Sequence, residues 1–447
     1  MDYTAHSGIL LEKTFDNVSS LMSVEGLHES NLTRDVALRI RESDGKFLFF
    51  ASGNGDFFPT TRSWDADCPL NATDVFQYVD SCRRTWQETL VDGIKAFEVR
   101  LNPNFGGQEN YYFFQREWDY SQQPDVLRQR AGKLAKAGEK LFYLLFEDTN
   151  HPQDLLDLGA ELKRASREKE LVVTITSNCF FVPWGMLYVH PDTHMPLEAD
   201  GSNFDWKGFW GYRHIVEHNT ERFVLKNELL LNGASHKLKF SANVDEGIDT
   251  SLDVECVQPL IEFFKGHPLL DPTVQKTKDE LGAALDNDNF SDNVLFFCCH
   301  GRGSQVGNQT SLELPALKLT DPDLIYATDL NFWRRRRNGI LPSHPLVFIN
   351  ACQGGQMTNL FYRDVAAEFL KQQAVGLVGT QIDIPAIFAC VYAKRFFHKL
   401  LDNRNNPMRV GPLMRELTRE FIDTYNNPLG LAYSLYHGAD CFVLSPN

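Results

Sequence analysis

Two reactive side chains follow buried-strand patterns in the second half of this 447-residue sequence. The apolar run VLFFCCH (294–300) ends in His300, with Gly301 next, and the run PLVFINA (345–351) is followed by Cys352. In parallel sheets the reactive residues lie at the carboxyl ends of strands. If these two runs form neighbouring parallel strands, we expect the imidazole and the thiol to emerge at the same edge of the sheet.

This pair of side chains has the chemistry that acyl transfer needs. A thiol with a reference pKa of about 8.5 is only a few per cent thiolate at neutral pH, and a nearby imidazole raises that fraction. We therefore predict that Cys352 is a nucleophile and that His300 is its general base. Glycine lets a substrate backbone approach closely, and the N–H groups of Gly301 and Cys352 are the predicted oxyanion hole.

Residues from Lys237 onward alternate between short apolar runs and longer amphipathic runs. This alternation predicts a parallel sheet covered by helices on both faces, and hence an α/β fold. The predicted strands of this segment are 238–244, 294–300, 345–351, 374–380 and 441–445. Upstream, a helix-rich stretch follows Pro124, and the β-branched run at 171–176 predicts one more buried strand.

The first part of the sequence has shorter runs broken by turn signals. Asp44-Gly45 lies between two alternating apolar runs and predicts a hairpin, and apolar residues at 74–96 recur at helical spacing. We therefore predict three regions in the chain. They are an N-terminal α+β region of unknown role (1–125), a helix-rich half (126–235) and a half that carries the reactive pair (236–447).

Composition narrows the classes of partner. The formal net charge of −15 argues against direct binding of nucleic acid or of an anionic membrane, because either would need a basic face. No apolar run is long enough to span a bilayer, and the start of the chain lacks the pattern of a signal peptide. The nine cysteines are scattered without a CxxC pair, which favours a reduced, cytoplasmic protein with at most one functional thiol.

The motifs around the two strand ends resemble those of clan CD cysteine peptidases, the class of caspases, separase, gingipains and legumain. The resemblance is closer to the caspase-like CHAT branch, and is strongest over 237–447 of a matching region of roughly 135–447. The segments that carry it are LFFCCHGRG, FINACQGG, AVGLVGTQIDIP and NPLGLAYSLYHGADCFVL, with VPWGML upstream. It implies a caspase-like parallel-sheet sandwich, with a pseudo-caspase half at 126–235 and the catalytic half at 236–447. It also implies a Cys–His dyad that does not need a third carboxylate, and we assign none.

One departure from the family pattern bears on specificity. The usual GTLWPV-type segment reads GTQIDIP here, and in separase-like members an acid at this place lines the pocket for the substrate side chain. The resemblance therefore implies that Asp383, with Gln353 as a further contributor, selects a basic residue before the cut bond, arginine preferred. The alternative for Asp383 is that it caps a helix beginning near Pro385.

A run of four arginines lies between the two reactive strands. A charge run is most often a solvated surface. The alternative is a processing site, cut by the same enzyme or by another peptidase, which would activate the protein. The residues concerned are Arg334, Arg335, Arg336 and Arg337.

The sequence thus predicts an endopeptidase that needs no metal or organic cofactor. The resemblance to bacterial CHAT proteins implies a role in antiviral defence or cell death, with an activating protein partner and a protein substrate such as a gasdermin-like effector. Two alternatives remain open at this point. One is a catalytically silent CHAT-fold interaction scaffold, and the other is a thiol acyltransferase or esterase.

Overall fold

The structure is a computed structural model. It describes residues 32–53, 64–92, 117–122, 124–221, 228–230, 236–302, 315–335, 338–351, 362–402 and 407–444. All the elements named below belong to one unit, Arg34–Asn447.

From residue 238 onward the described strands mostly alternate with helices, as the sequence predicts. The strands are β1 Val36–Ser43, β2 Lys46–Gly53, β3 Trp64–Cys68, β4 Val172–Thr176, β5 Ile215–Asn219, β6 Glu228–Leu230, β7 Leu238–Val244, β8 Leu270–Gln275, β9 Val294–Arg302, β10 Ala316–Lys318, β11 Leu324–Tyr326, β12 Leu346–Ala351, β13 Gly376–Thr380, β14 Tyr433–Tyr436 and β15 Phe442–Leu444. The helices are α1 Ala72–Trp86, α2 Pro124–Phe146, α3 Gln153–Glu168, α4 Trp210–Arg213, α5 Gly247–Leu252, α6 Val257–Gly266, α7 Lys278–Leu285, α8 Ala327–Arg334, α9 Ala367–Lys371, α10 Ala386–Asp402 and α11 Val410–Tyr425. None of the helices described is long and apolar enough to cross a membrane.

One large sheet contains strands from all three predicted regions. Its order is β8-β7-β9-β12-β13-β14-β5-β4-β1-β2-β3, with β10 and β11 attached to the end of β9. The five strands from β8 to β13 are parallel, β14 runs antiparallel to β13, and β5, β4 and β1 continue parallel to β14. The predicted α/β class is therefore confirmed. The division at residues 125 and 235 stays a prediction, although main-chain pairing crosses both points.

Both faces of the sheet are covered, which explains why its strands are continuous apolar runs. On one face Phe296 of β9 packs against Phe264 of α6 and Phe397 of α10, with ring centroids 5.1 and 5.8 Å away. On the other face Phe297 joins a buried cluster to which α7, α8 and α9 contribute, including Leu330. Successive residues of β9 thus point to opposite faces, as the pleat of a strand requires.

The predicted hairpin joins β1 and β2. Its turn residues Asp44 and Gly45 have φ angles of 52° and 75°, and the strands on either side pair in register from Ser43↔Lys46 onward. Positive φ at both central positions is the geometry of a type I′ turn, for which Asp-Gly is a preferred sequence.

From Lys237 onward the predicted strands lack β8, β10, β11 and β14, and one predicted run lies in another sheet. The sequence of β8, LDPTVQ, contains Asp271 and Pro272, residue types that are depleted in strands. Among the described strands β8 pairs with β7 alone, and an edge position tolerates proline. The run at 441–445 was expected in the main sheet, but β15 pairs with β6 in a separate two-stranded sheet.

Two buried histidines lie at and beside β5. His214 accepts a hydrogen bond on Nδ1 from the N–H of Leu171 (3.0 Å), and Nε2 of His218 lies 3.0 Å from the carbonyl oxygen of Ser177. Burial lowers the pKa of His214 to about 3 and that of His218 to about 4. Both imidazoles are therefore uncharged in the folded protein at neutral pH.

We expect the folded protein to lose stability as the pH falls from 7 to 5. Histidines in the unfolded chain take up a proton near pH 6.5, whereas folded His214 and His218 do not, so the unfolded state binds more protons. The free energy of unfolding should fall by roughly 2 kcal/mol for each histidine over this interval. Urea unfolding at a series of pH values measures it. His218→Gln should make the dependence shallower, and His398→Gln, at an exposed position, should not; a pH-independent free energy of unfolding would contradict the expectation.

Candidate active site

The carboxyl ends of β9, β12 and β13 lie side by side, with β12 in the middle. In the register of β9 and β12, Ala351 lies opposite Cys299. Each of these two residues is followed directly in the sequence by one of the predicted reactive residues, His300 and Cys352. Cys352 and Gln353 lie outside the described residues. The pairing of Ala351 with Cys299 is the described feature next to the predicted dyad.

His300 lies at this edge with a partly exposed side chain. Its Nε2 is 3.6 Å from Oδ2 of Asp245, whose side chain is only 3% exposed. This distance is longer than a hydrogen bond. The buried carboxylate and the imidazole are therefore neighbours without a direct hydrogen bond between these two atoms.

Asp245 is held by the main chain on both sides. It follows β7 directly, its N–H donates to the carbonyl of Cys298 (2.8 Å), and its Oδ1 accepts from the N–H of Gly247 (2.9 Å). Its Oδ2 is also 3.7 Å from Nζ of Lys318, which lies opposite His300 in β10. One carboxylate oxygen is thus fixed by the backbone, and the other faces two basic side chains.

Sequence reasoning missed Asp245. The signal was present, because 238–244 was predicted as a strand with the bounds that β7 has, and Asp245 follows the carboxyl end of that strand directly. The family resemblance, which implies no third carboxylate, drew attention away from that position.

Gly301 does not come after the strand, as predicted, but within it. β9 continues through Arg302, and Gly301 lies opposite Leu317 of β10 in an antiparallel pairing. The added strand explains the extension, because its main chain pairs with the last three residues of β9.

Asn350 anchors the end of β12. Its side chain is fully buried; its amide nitrogen donates to the carbonyl of Ala389 in α10 (2.8 Å), and its oxygen accepts from the hydroxyl of Tyr433 in β14 (2.8 Å). The residue before Ala351 is thereby tied to a helix and to a second strand.

The thiol next to His300 in the sequence is chemically quiet. Cys299 is completely buried, and burial raises the pKa of its thiol well above the usual range. A protonated, inaccessible thiol cannot act as a nucleophile. Cys299 is therefore no competitor for the predicted role of Cys352.

Asp383 lies on the loop that follows β13. Its side chain is partly buried, and its N–H donates to Oε1 of Gln87 (3.0 Å). Helix α10 begins three residues later, at Ala386. The loop is therefore at the same sheet edge as His300, on the other side of β12.

The four arginines differ in environment. Arg334 is 1% exposed, and its guanidinium donates to the carbonyls of Leu285 and of Ile340. Arg335 is exposed, with its guanidinium carbon 3.3 Å from the centre of the Phe332 ring. Arg336 and Arg337 lie outside the described residues. Arg334, the last residue of α8, thus holds the segment that follows the helix and is inaccessible to a peptidase, so a processing site would have to use the later arginines.

No protein-family model and no curated protein matches the chain. Among solved structures, it is similar to a chain in each of two crystal structures of the Saccharomyces cerevisiae separase–securin complex, at 2.6 and 3.0 Å resolution. The TM-scores are 0.40 and 0.42, the sequence identities 9% and 10%, and the shares of this chain covered 91% and 92%. This chain spans 30% of the length of the chains that it matches. Likeness at this level carries no information about chemistry.

We expect Asn350→Ala to destabilise the protein by about 1–3 kcal/mol, because two buried hydrogen bonds are lost. Denaturant unfolding monitored by circular dichroism measures the change. Asn289→Ala, at an exposed position, is the matched control and should stay within about 0.5 kcal/mol of the wild type. Equal stability of the two variants would show that Asn350 does not anchor β12.

Proposed function

We propose that the chain is a cysteine endopeptidase that cleaves a protein substrate after a basic residue, arginine preferred, with Cys352 as nucleophile and His300 as general base. The observation that carries the proposal is the register of β9 and β12, which sets Ala351 opposite Cys299. The sequence motifs around both strand ends support it through their resemblance to clan CD peptidases.

Covalent geometry supports a meeting of the two side chains. Consecutive Cα atoms are about 3.8 Å apart, and neighbouring strands are about 4.8 Å apart. Cys352 and His300 each follow, by one residue in the sequence, a member of the cross-strand pair Ala351–Cys299. The Asn350 anchor fixes the strand end from which Cys352 departs.

The charge at Asp245 supports the role of His300. When the imidazole takes the thiol proton it becomes a cation, and a fixed carboxylate 3.6 Å from Nε2 stabilises that cation. Asp245 is in this proposal a positioning residue, because it acts through His300 and not on the substrate.

The proposed reaction has two halves. The sulfur of Cys352 attacks the carbonyl carbon of the cut bond, and the N–H groups of Gly301 and Cys352 stabilise the oxyanion. His300 then gives its proton to the leaving amine, which departs as the C–N bond breaks. Water, deprotonated by His300, hydrolyses the resulting thioester and returns the thiol.

Asp383 is the proposed selector of the basic side chain, with Gln353 as a further contributor. A carboxylate in a partly buried loop pairs strongly with a guanidinium, and the loop of Asp383 leaves β13, the strand next to β12.

The proposal includes regulation, by analogy with CHAT proteins. A protein partner or a cut in the arginine run switches the enzyme on, and a gasdermin-like effector is the proposed substrate, in defence or cell death. Of the arginines described, the exposed Arg335 suits a cut and the buried Arg334 does not.

A positional-scanning peptide library tests activity and specificity together. We expect arginine, then lysine, before the cut bond, no turnover by Cys352→Ala, and loss of the basic preference in Asp383→Asn with retained cleavage of other peptides. An arginyl chloromethylketone should label Cys352 and no other cysteine. If neither labelling nor turnover occurs with or without a cut in the arginine run, the silent scaffold is the better assignment; faster turnover of esters than of peptides would favour the acyltransferase or esterase.

We expect Asp245→Asn to lower kcat/KM roughly tenfold to hundredfold, which is part of the contribution of a well-placed general base. The loss should fall mainly on kcat, with KM nearly unchanged, because Asp245 acts through His300 and not on the substrate. Steady-state kinetics separate the two constants. Asp279→Asn, an exposed carboxylate, is the control, and an unchanged kcat in Asp245→Asn would remove Asp245 from the mechanism.

A further inference from the structure

Helix α1 contacts the loop that carries Asp383, although almost 300 residues separate them in the chain. The helix continues beyond Trp86 in wider turns, Gln87–Asp92, so its C-terminal end reaches this loop. Two of its side chains, Arg83 and Gln87, bind the loop at Gln381 and Asp383.

The first contact is a buried hydrogen-bond network. Arg83 is 7% exposed and donates from Nε (3.0 Å) and Nη2 to Oε1 of Gln381, which is 1% exposed. Nε2 of Gln381 donates to the hydroxyl of Tyr436 (3.0 Å), and its main-chain N–H donates to the carbonyl of Ala432 (2.7 Å). A guanidinium can only donate, so Arg83 fixes which end of the Gln381 amide faces it.

The second contact acts on the main chain of the proposed selector. The N–H of Asp383 donates to Oε1 of Gln87 at 3.0 Å. Together the two contacts hold the chain on both sides of Ile382, which is itself buried. The backbone from which the Asp383 carboxylate projects is therefore set by α1.

We propose that α1 positions the loop that carries Asp383. In this proposal Arg83 and Gln87 hold Asp383 in place to receive a basic side chain. The inference rests on the proposed peptidase function and assigns a role to part of the N-terminal region. Groups that recognise a substrate must be held by a second layer of contacts, because small displacements cost much of their effect. Arg83 and Gln87 touch no substrate in this proposal.

Gln87→Ala tests the proposal, because it removes the acceptor of the Asp383 N–H and leaves the helix intact. Hydrogen exchange of that amide, read at residue level by mass spectrometry with electron-transfer fragmentation, should become about threefold to tenfold faster. Gln77→Ala is the matched control, since Gln77 is an exposed glutamine on the same helix, and it should leave the exchange unchanged. Gln87→Glu keeps an acceptor oxygen and should restore slow exchange.

The second readout is discrimination between substrates. The ratio of kcat/KM for arginyl over neutral peptides should fall severalfold in Gln87→Ala, mainly through KM for the arginyl peptide, and stay at the wild-type value in Gln77→Ala. Unchanged exchange, or faster exchange with unchanged discrimination, overturns the positioning role while leaving the peptidase assignment in place. If the wild-type protein shows neither turnover nor labelling of Cys352, the peptidase assignment is overturned instead. The exchange measurement still decides whether α1 holds the loop.

Discussion

The parallel register between β9 and β12 is the constraint on which the site depends. A shift by one residue would turn every side chain of β12 to the opposite face. Phe348 would then leave the aromatic cluster around Phe397, and Asn350 would enter an apolar layer without its two partners. The register is thus enforced by packing on both faces, and the position of the strand ends follows from it.

Charged side chains gather where that packing stops. Asp245, His300 and Lys318 lie together at the carboxyl edge of β7 and β9. A buried carboxylate is costly unless it has partners. At this edge Asp245 has those partners, namely one main-chain amide and two basic side chains. The polar site therefore lies at the end of the apolar core and does not interrupt it.

The sequence was sufficient for those features that have local patterns. The alternation of runs predicted the α/β class, Asp44-Gly45 predicted the hairpin, and β7 was predicted with its observed bounds. Local reasoning failed for β8, where proline and aspartate conceal an edge strand. It could not find the contacts of α1 with the loop of Asp383, because a hydrogen bond between residues 296 positions apart leaves no periodicity or spacing to detect.

The way in which β14 lies between its neighbours sets a limit on how the polypeptide can be shortened. This strand pairs with β13 on one side and with β5 on the other, and the N–H of His437, next to it in the chain, donates to the carbonyl of His218. A fragment that starts at residue 236 would keep the described residues around the proposed dyad, such as Asp245, Lys318 and Asn350. It would lose β5. The edge of β14 that pairs with β5 would then be exposed, with unpaired main-chain N–H and C=O groups. Such an edge promotes self-association. The part that carries the reactive pair therefore depends on the preceding part for solubility as well as for shape.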